Sequence, residues 1–170
     1  RGRPIMLTIM FASMIVGALP RMGKTFTVRL ILLAAALDVL AEIHAYDLKG
    51  GSDLRSLAQV AHRFRIGDED EDIAYLMEDL RAVRADMSHR YKVIRSLSED
   101  ICPEGKVTPE LAGKRELGLH PLVFAVDECQ FLFEHATFGA EAVELATDLV
   151  KRGPAVGITA IFATQRPDAK

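Results

Sequence analysis

Tryptophan is missing from this sequence, cysteine occurs only twice, and aromatic residues make up 6% of the chain. Cys102 and Cys129 lie far apart, so the pattern holds neither a zinc spacing nor a disulfide framework. A reducing, cytoplasmic setting is expected. Charge of one sign is lacking too. The 170 residues carry a net charge of -3 and a pI of about 6.0, whereas a small nucleic-acid-binding domain is usually basic. Bulk charge therefore does not advertise nucleic acid, and it does not exclude it either, because one small patch can make the contact. Low-complexity tracts and repeats at solenoid spacing are also missing. The most apolar run, Ile5 to Leu19, is about 15 residues long, short of the ~20 that a membrane span needs. It contains Thr8 and Ser13 and runs into Gly17 and Pro20. No small-residue cleavage site follows, which argues against a signal peptide. The run reads as buried strand.

What is present is apolar material for a sizeable core: 49% hydrophobic residues against 26% charged, the balance of one ordinary domain. The chain begins at Arg1 without Met and stops at Lys170 just after an apolar stretch. A single domain over 1–170, taken from a longer protein, is therefore expected. Ile5 to Met10 and Met14 to Val16 read as short strands. Thr25 to about Leu40 reads as a helix, rich in Leu and Ala and expected to be largely buried. Glu42 to Tyr46 reads as a strand that ends at the Gly50-Gly51 turn. Asp53 to Val60 is a candidate short helix. A long helix opens on the acidic run Asp68 to Asp72, where carboxylates favour the positive end of the dipole. It continues with Ile73, Leu76, Met77, Leu80, Val83, Met87, Tyr91, Ile94 and Leu97 at steps of three and four. Cys102 to His120 reads as loop with room for one short helix. Leu122 to Val126 and Ile158 to Ala163 read as strands, with a helix from Ala140 to Val150 between them. Uniformly apolar strands alternating with helices specify an α/β fold, a mostly parallel sheet with helices on both faces.

Three segments carry chemistry. The first is Gly17-Ala18-Leu19-Pro20-Arg21-Met22-Gly23-Lys24-Thr25, a loop between a strand and a helix that starts at Lys-Thr. Loop amides and a helix N-terminus direct donors at an anion. Gly23 lets the backbone approach phosphates, the Lys24 ammonium reaches the β- and γ-phosphates, and the Thr25 hydroxyl can ligate Mg2+. The loop departs from the usual pattern: Ala18 stands where the first Gly is usual, Gly17 comes one residue earlier, and Pro20 removes one amide donor.

The second segment is Asp127-Glu128 at the end of an apolar strand. Asp127 suits magnesium, which prefers a few carboxylates together with waters and phosphate oxygens. Glu128 suits a base that orients and deprotonates water in phosphoryl transfer, a reaction governed by positioning and electrostatics. The third is Thr164-Gln165 at the tip of the last strand. Ligands of parallel sheets bind beyond the carboxyl ends of the strands, so Gln165 is expected near a γ-phosphate that it could sense. Phe131 and Phe133 read as core. Cys129 and His135 read as bystanders, and His44, His62 and His89 show no metal spacing.

Together, Gly17 to Thr25, Val123 to Glu128 and Ala163-Thr164-Gln165-Arg166-Pro167 resemble the motor domain of the FtsK/SpoIIIE family of DNA translocases. Tyr46-Asp47-Leu48-Lys49, Met87 to Lys92, Arg152 and Gly157 agree with it. The form of the phosphate loop looks most like the actinobacterial and conjugative-plasmid branch. The resemblance implies a RecA-like P-loop NTPase core that binds ATP and Mg2+, hydrolyses ATP and moves double-stranded DNA. It also implies a homo-oligomer, a hexameric ring in which an arginine from one subunit completes the next subunit's site. Arg152 and Arg166 are the candidates, and Arg90 reads equally as a salt-bridged helix residue. Any membrane attachment would come from segments outside this chain. Two alternatives stay open: a type VII secretion-like ATPase that moves polypeptide, and a nucleotide-gated interaction module without turnover.

Overall fold

The computed structural model describes residues 11–19 and 22–165. The expected strand at Ile5–Met10 lies outside them, as do Pro20, Arg21, Arg166 and Pro167. Five strands form one sheet: β1 (Met14–Gly17), β2 (Glu42–Asp47), β3 (Arg63–Ile66), β4 (Leu122–Asp127) and β5 (Ile158–Thr164). Their spatial order is β1-β5-β4-β2-β3 and every pairing is parallel. Five α-helices accompany them: α1 (Lys24–Ala35), α2 (Asp70–Ser96), α3 (Pro109–Gly113), α4 (Gln130–Phe133) and α5 (Gly139–Arg152).

The apolar strands divide cleanly between two cores, because successive side chains in a strand point to opposite faces. Ile43, Ala45, Val123, Ala125, Ile161 and Ala163 face α1, packing with Val28, Ile31 and Leu32. Tyr46, Phe124, Val126, Ala160 and Phe162 face the other way, onto α2, α4 and α5. Each fully buried side chain of this size contributes about 2 kcal/mol, and both faces must be covered for the sheet to be stable. The expected parallel sheet with helices on both faces is the fold that forms.

Several details differ from the sequence expectation. Helix α1 ends at Ala35 rather than near Leu40. The Asp38 carboxylate accepts from the Leu40 amide at 2.9 Å, a local turn that competes with helical bonding. Nor is α1 largely buried: Phe26, Leu30 and Leu33 are exposed, because only the Val28–Ile31–Leu32 face meets the sheet. Residues 63–66 form an edge strand where no element was expected. Their Arg-Phe-Arg-Ile alternation puts Phe64 against the α1-side core, while Arg63 and Arg65 lie over the Tyr75 ring. Helix α2 starts and ends within two residues of expectation, with Asp70, Glu71 and Asp72 in its first turn. Phe133 packs against Phe162, but Phe131 is exposed, since the short α4 presents only one face to the core.

Candidate nucleotide site

Parallel registration brings the chemically active strand ends together. Gly17 pairs with Thr164, Asp127 with Ala163, and Asp47 with Asp127. Beyond these ends lies a cleft of about 480 Å³ whose lining includes Leu19, Gly23, Lys24, Thr25, Asp47, Lys49, Asp53, Asp127 and Gln165. Asp47, Lys49 and Asp53 were not singled out as site residues. They follow from the same rule, because the β2 tip must face the cleft if the β4 tip does.

Gly23 sits at φ 82, the left-handed region, immediately before α1. A Cβ there would meet no atom of the chain within 4 Å. What favours glycine is therefore the backbone angle and the open approach it leaves, as expected of a phosphate-facing residue. Of the other loop residues, Leu19 and Met22 are exposed. Gly17 ends β1 rather than opening the loop, and the Ala18 amide donates to the Thr164 carbonyl at 3.3 Å, so Ala18 is tied to the sheet.

Lys24 is buried, at 4% exposure. Its ammonium pairs with Asp127 Oδ1 and stands 3.0 Å from Glu128 Oε1. Thr25 Oγ1 donates to Asp127 Oδ2 at 2.7 Å. Glu128 does not line the cleft. It is 2% exposed and adopts a left-handed φ of 58, a conformation that costs a non-glycine residue about 1 kcal/mol. The Gln130 amide donates to its Oε2 at 2.7 Å, while Oε1 takes no hydrogen bond among the described residues and lies in the ion pair with Lys24, with Lys49 adding to the positive field. Burial alone would push the Glu128 carboxyl up; the Gln130 amide and the Lys24 ammonium outweigh it and hold it below its usual range. Burial raises Asp47, opposed by the Lys49 amide and reinforced by Asp127.

The donor set fits magnesium. A hydroxyl and a carboxylate, both hard oxygens, meet at the floor of the cleft. Among the described residues no group of three or more His, Cys, Asp or Glu could hold a metal alone. A cation that takes its remaining ligands from phosphate and water matches that sparse set. Cys129 is buried and its thiol is pushed up to about 12 by burial, which fits the bystander reading. Arg90 is excluded from reaching another subunit: at 1% exposure it donates to Asp86 and to the His120 and Val156 carbonyls. Arg152 is exposed, pairing with Asp148 over the Tyr91 ring.

The fold, a mostly parallel sheet flanked by helices, is that of P-loop ATPase motor domains. Its structural neighbours are motor ATPases of FtsK/SpoIIIE type. They include the pCW3 conjugation coupling protein TcpA, solved with ATPγS, at 19% identity and a TM-score of 0.69 over 93% of this chain and 44% of that one. ATPases 2 and 3 of EssC from Geobacillus thermodenitrificans match at 17% identity and a TM-score of 0.58, covering 91% and 28%. The cytoplasmic domain of the Thermomonospora curvata type VII secretion ATPase EccC matches at 16% and 0.63, covering 91% and 18%. This chain thus spans less than half the length of each. No protein-family model matches it, and no curated protein matches it in sequence. Among the described residues no helix is long and apolar enough to cross a membrane.

Proposed function

We propose that this chain binds and hydrolyses ATP and is the motor core of a protein that translocates double-stranded DNA. The observation that carries the reading is the convergence of Lys24, Thr25, Asp127 and Gln165 on one cleft with Glu128 directly behind it. Lys24 is held between Asp127 and Glu128 and is the group that turns to the β- and γ-phosphates when nucleotide enters. Its departure frees the Glu128 carboxylate. Glu128 then orients a water and takes its proton as the water oxygen attacks the γ-phosphorus and the bond to the ADP oxygen breaks. Thr25 and Asp127 would hold Mg2+, which offsets phosphate charge when bound. Gln165, just past the β5 tip, lines the cleft and is the residue this reading assigns to the γ-phosphate.

For the substrate that is moved, Ala163-Thr164-Gln165-Arg166-Pro167 and an intact Asp127-Glu128 pair favour DNA. The protein works as a homo-oligomer, a hexameric ring in the cytoplasm, attached to membrane only through segments outside this chain. Arg152 and Arg166 remain the candidates for the arginine that enters a neighbour's site. The EssC and EccC neighbours favour a second reading, a motor that moves polypeptide. The test is ATP turnover with and without linear duplex DNA, with Glu128→Gln as the control. Turnover stimulated by DNA and lost in the control supports the DNA motor. Turnover indifferent to DNA shifts the reading to polypeptide. Nucleotide binding without turnover in either condition overturns the hydrolase.

A further inference from the structure

Glu128 and the β5 tip are joined by one side chain. Gln130, the first residue of α4, is 8% exposed and lies between them. Its Nε2 donates to Glu128 Oε2 at 2.7 Å, and its Oε1 accepts from the Thr164 hydroxyl at 2.8 Å. The direction of both bonds follows from chemistry. A carboxylate only accepts, so the amide nitrogen must face Glu128, which leaves the amide oxygen for the hydroxyl. The backbone runs in parallel with this bridge: the Cys129 amide donates to the Ala163 carbonyl at 2.9 Å. Glu128 itself sits at a left-handed φ; its Oε1 faces the Lys24 ammonium at 3.0 Å, and Gln130 is the neutral hydrogen-bonding group that orients the other oxygen.

We propose that Gln130 is the positioning residue of the hydrolytic site: its amide aims the Glu128 carboxylate and couples that aim to Thr164, the neighbour of Gln165. This rests on the hydrolase reading above. A shift of the β5 tip, when the cleft beside Gln165 fills, moves the hydroxyl that holds the amide, and the amide moves the base. Gln130 touches neither phosphate nor water in this scheme. It acts through Glu128.

The test compares steady-state ATP turnover by the full chain and its variants. Gln130→Met keeps the length of the side chain and removes both bonds. It is expected to lower kcat by about 10- to 100-fold, the cost of a misaimed catalytic group, while KM stays within about twofold because the phosphate contacts are untouched. Thr164→Val keeps the shape of the strand tip and removes the hydroxyl; it should lower kcat less, again with KM held. Thr164→Ser, which restores the hydroxyl, should recover that loss. The double variant Gln130→Met/Thr164→Val should be no worse than Gln130→Met alone, since both act on one connection.

Wild-type kcat in Gln130→Met overturns the inference and leaves the hydrolase reading standing. So does a Thr164→Ser chain as impaired as Thr164→Val, which would mark a packing role. Should Gln130→Met fail to fold, the Thr164 pair decides by itself. A wild-type chain that binds ATP and never turns it over overturns both readings together.

Discussion

Two buried ionic clusters lie in this sheet, and they differ in completeness. At the carboxyl ends of the strands, Lys24, Asp127, Glu128 and Gln130 form a group in which Glu128 Oε1 has no hydrogen bond among the described residues and Glu128 holds a left-handed backbone. On the α2 side of β2, Glu42, His44 and Tyr46 form the second. His44 Nδ1 lies 2.7 Å from Asp79 Oδ2, and its Nε2 lies 2.9 Å from Glu42 Oε1. Tyr46 donates to Asp79 at 2.6 Å, and His120 Nε2 lies 2.7 Å from Glu42 Oε2. Arg63 stands 3.6 Å from Asp79 Oδ1. Every polar head in this second group has a partner. A fully hydrogen-bonded buried network rigidifies a fold, whereas the first cluster is held in part by the Lys24 ion pairs alone.

The largest expected effect comes from emptying the first cluster of its cation. Lys24→Ala leaves Asp127 and Glu128 side by side and removes the phosphate-reaching ammonium. ATP turnover should fall by about 1,000-fold or more, an expectation built on charge stabilisation in phosphoryl transfer. Unchanged nucleotide affinity and turnover would sink the site assignment.

Asp79→Ala does the equivalent to the second cluster. It strands buried His44 and the Tyr46 hydroxyl, and breaking such a pair costs about 3 kcal/mol. A denaturant titration should show the loss, with nucleotide affinity of the folded fraction unchanged. A loss of affinity as large as the loss of stability would mean that the two clusters are not separable.

The second cluster also sets a pH profile. Burial opposes the His44 charge, but its hydrogen bonds to the Asp79 and Glu42 carboxylates prevail and raise its pKa from 6.5 to about 9. Its contribution is therefore full below about 6.5 and is lost as pH rises through about 9. Glu42 is lowered from 4.5 to about 2, with the His44 hydrogen bond as the largest cause, then burial opposing it and His120 assisting. That contribution is full above about 4.5 and is lost as pH falls toward 2. Thermal unfolding should give a Tm plateau between these limits, and Asp79→Asn should blunt its alkaline side. A wild-type Tm that is flat to pH 9 would contradict the geometry.

The smallest effect sharpens the contrast most. Glu128→Gln should abolish turnover, and because the fold holds this carboxyl below its usual range beside Lys24, losing its charge should lower the unfolding midpoint only slightly. A marked fall in the midpoint would place Glu128 among the structural residues.

The first cluster was largely legible before any coordinates. Gly23-Lys24-Thr25 after an apolar strand and Asp127-Glu128 at the end of another carry their chemistry in residue type and local order. The second cluster was not legible: His44, read only as showing no metal spacing, meets Asp79 on the helix packed over the strand, and no sequence spacing encodes such a contact. Gln130 was passed over although it lies two residues beyond Glu128, because its importance depends on Thr164, which only strand order brings near. Strand β3 was missed because a four-residue edge strand alternating Arg with apolar residues looks like solvated loop until a neighbour supplies its hydrogen bonds.

By itself, then, the sequence determined the class of fold, the period of its long helix and the identities of the residues whose chemistry suits phosphate and magnesium. These depend on hydrophobic periodicity and on chemistry carried by single residues and short runs. Tertiary structure alone decided that β1 lies beside β5, that Asp47 stands level with Asp127, that α1 buries one face only and that Gln130 bridges the base to the sheet. Those are pairings between distant segments, chosen by which faces the two cores could cover at once.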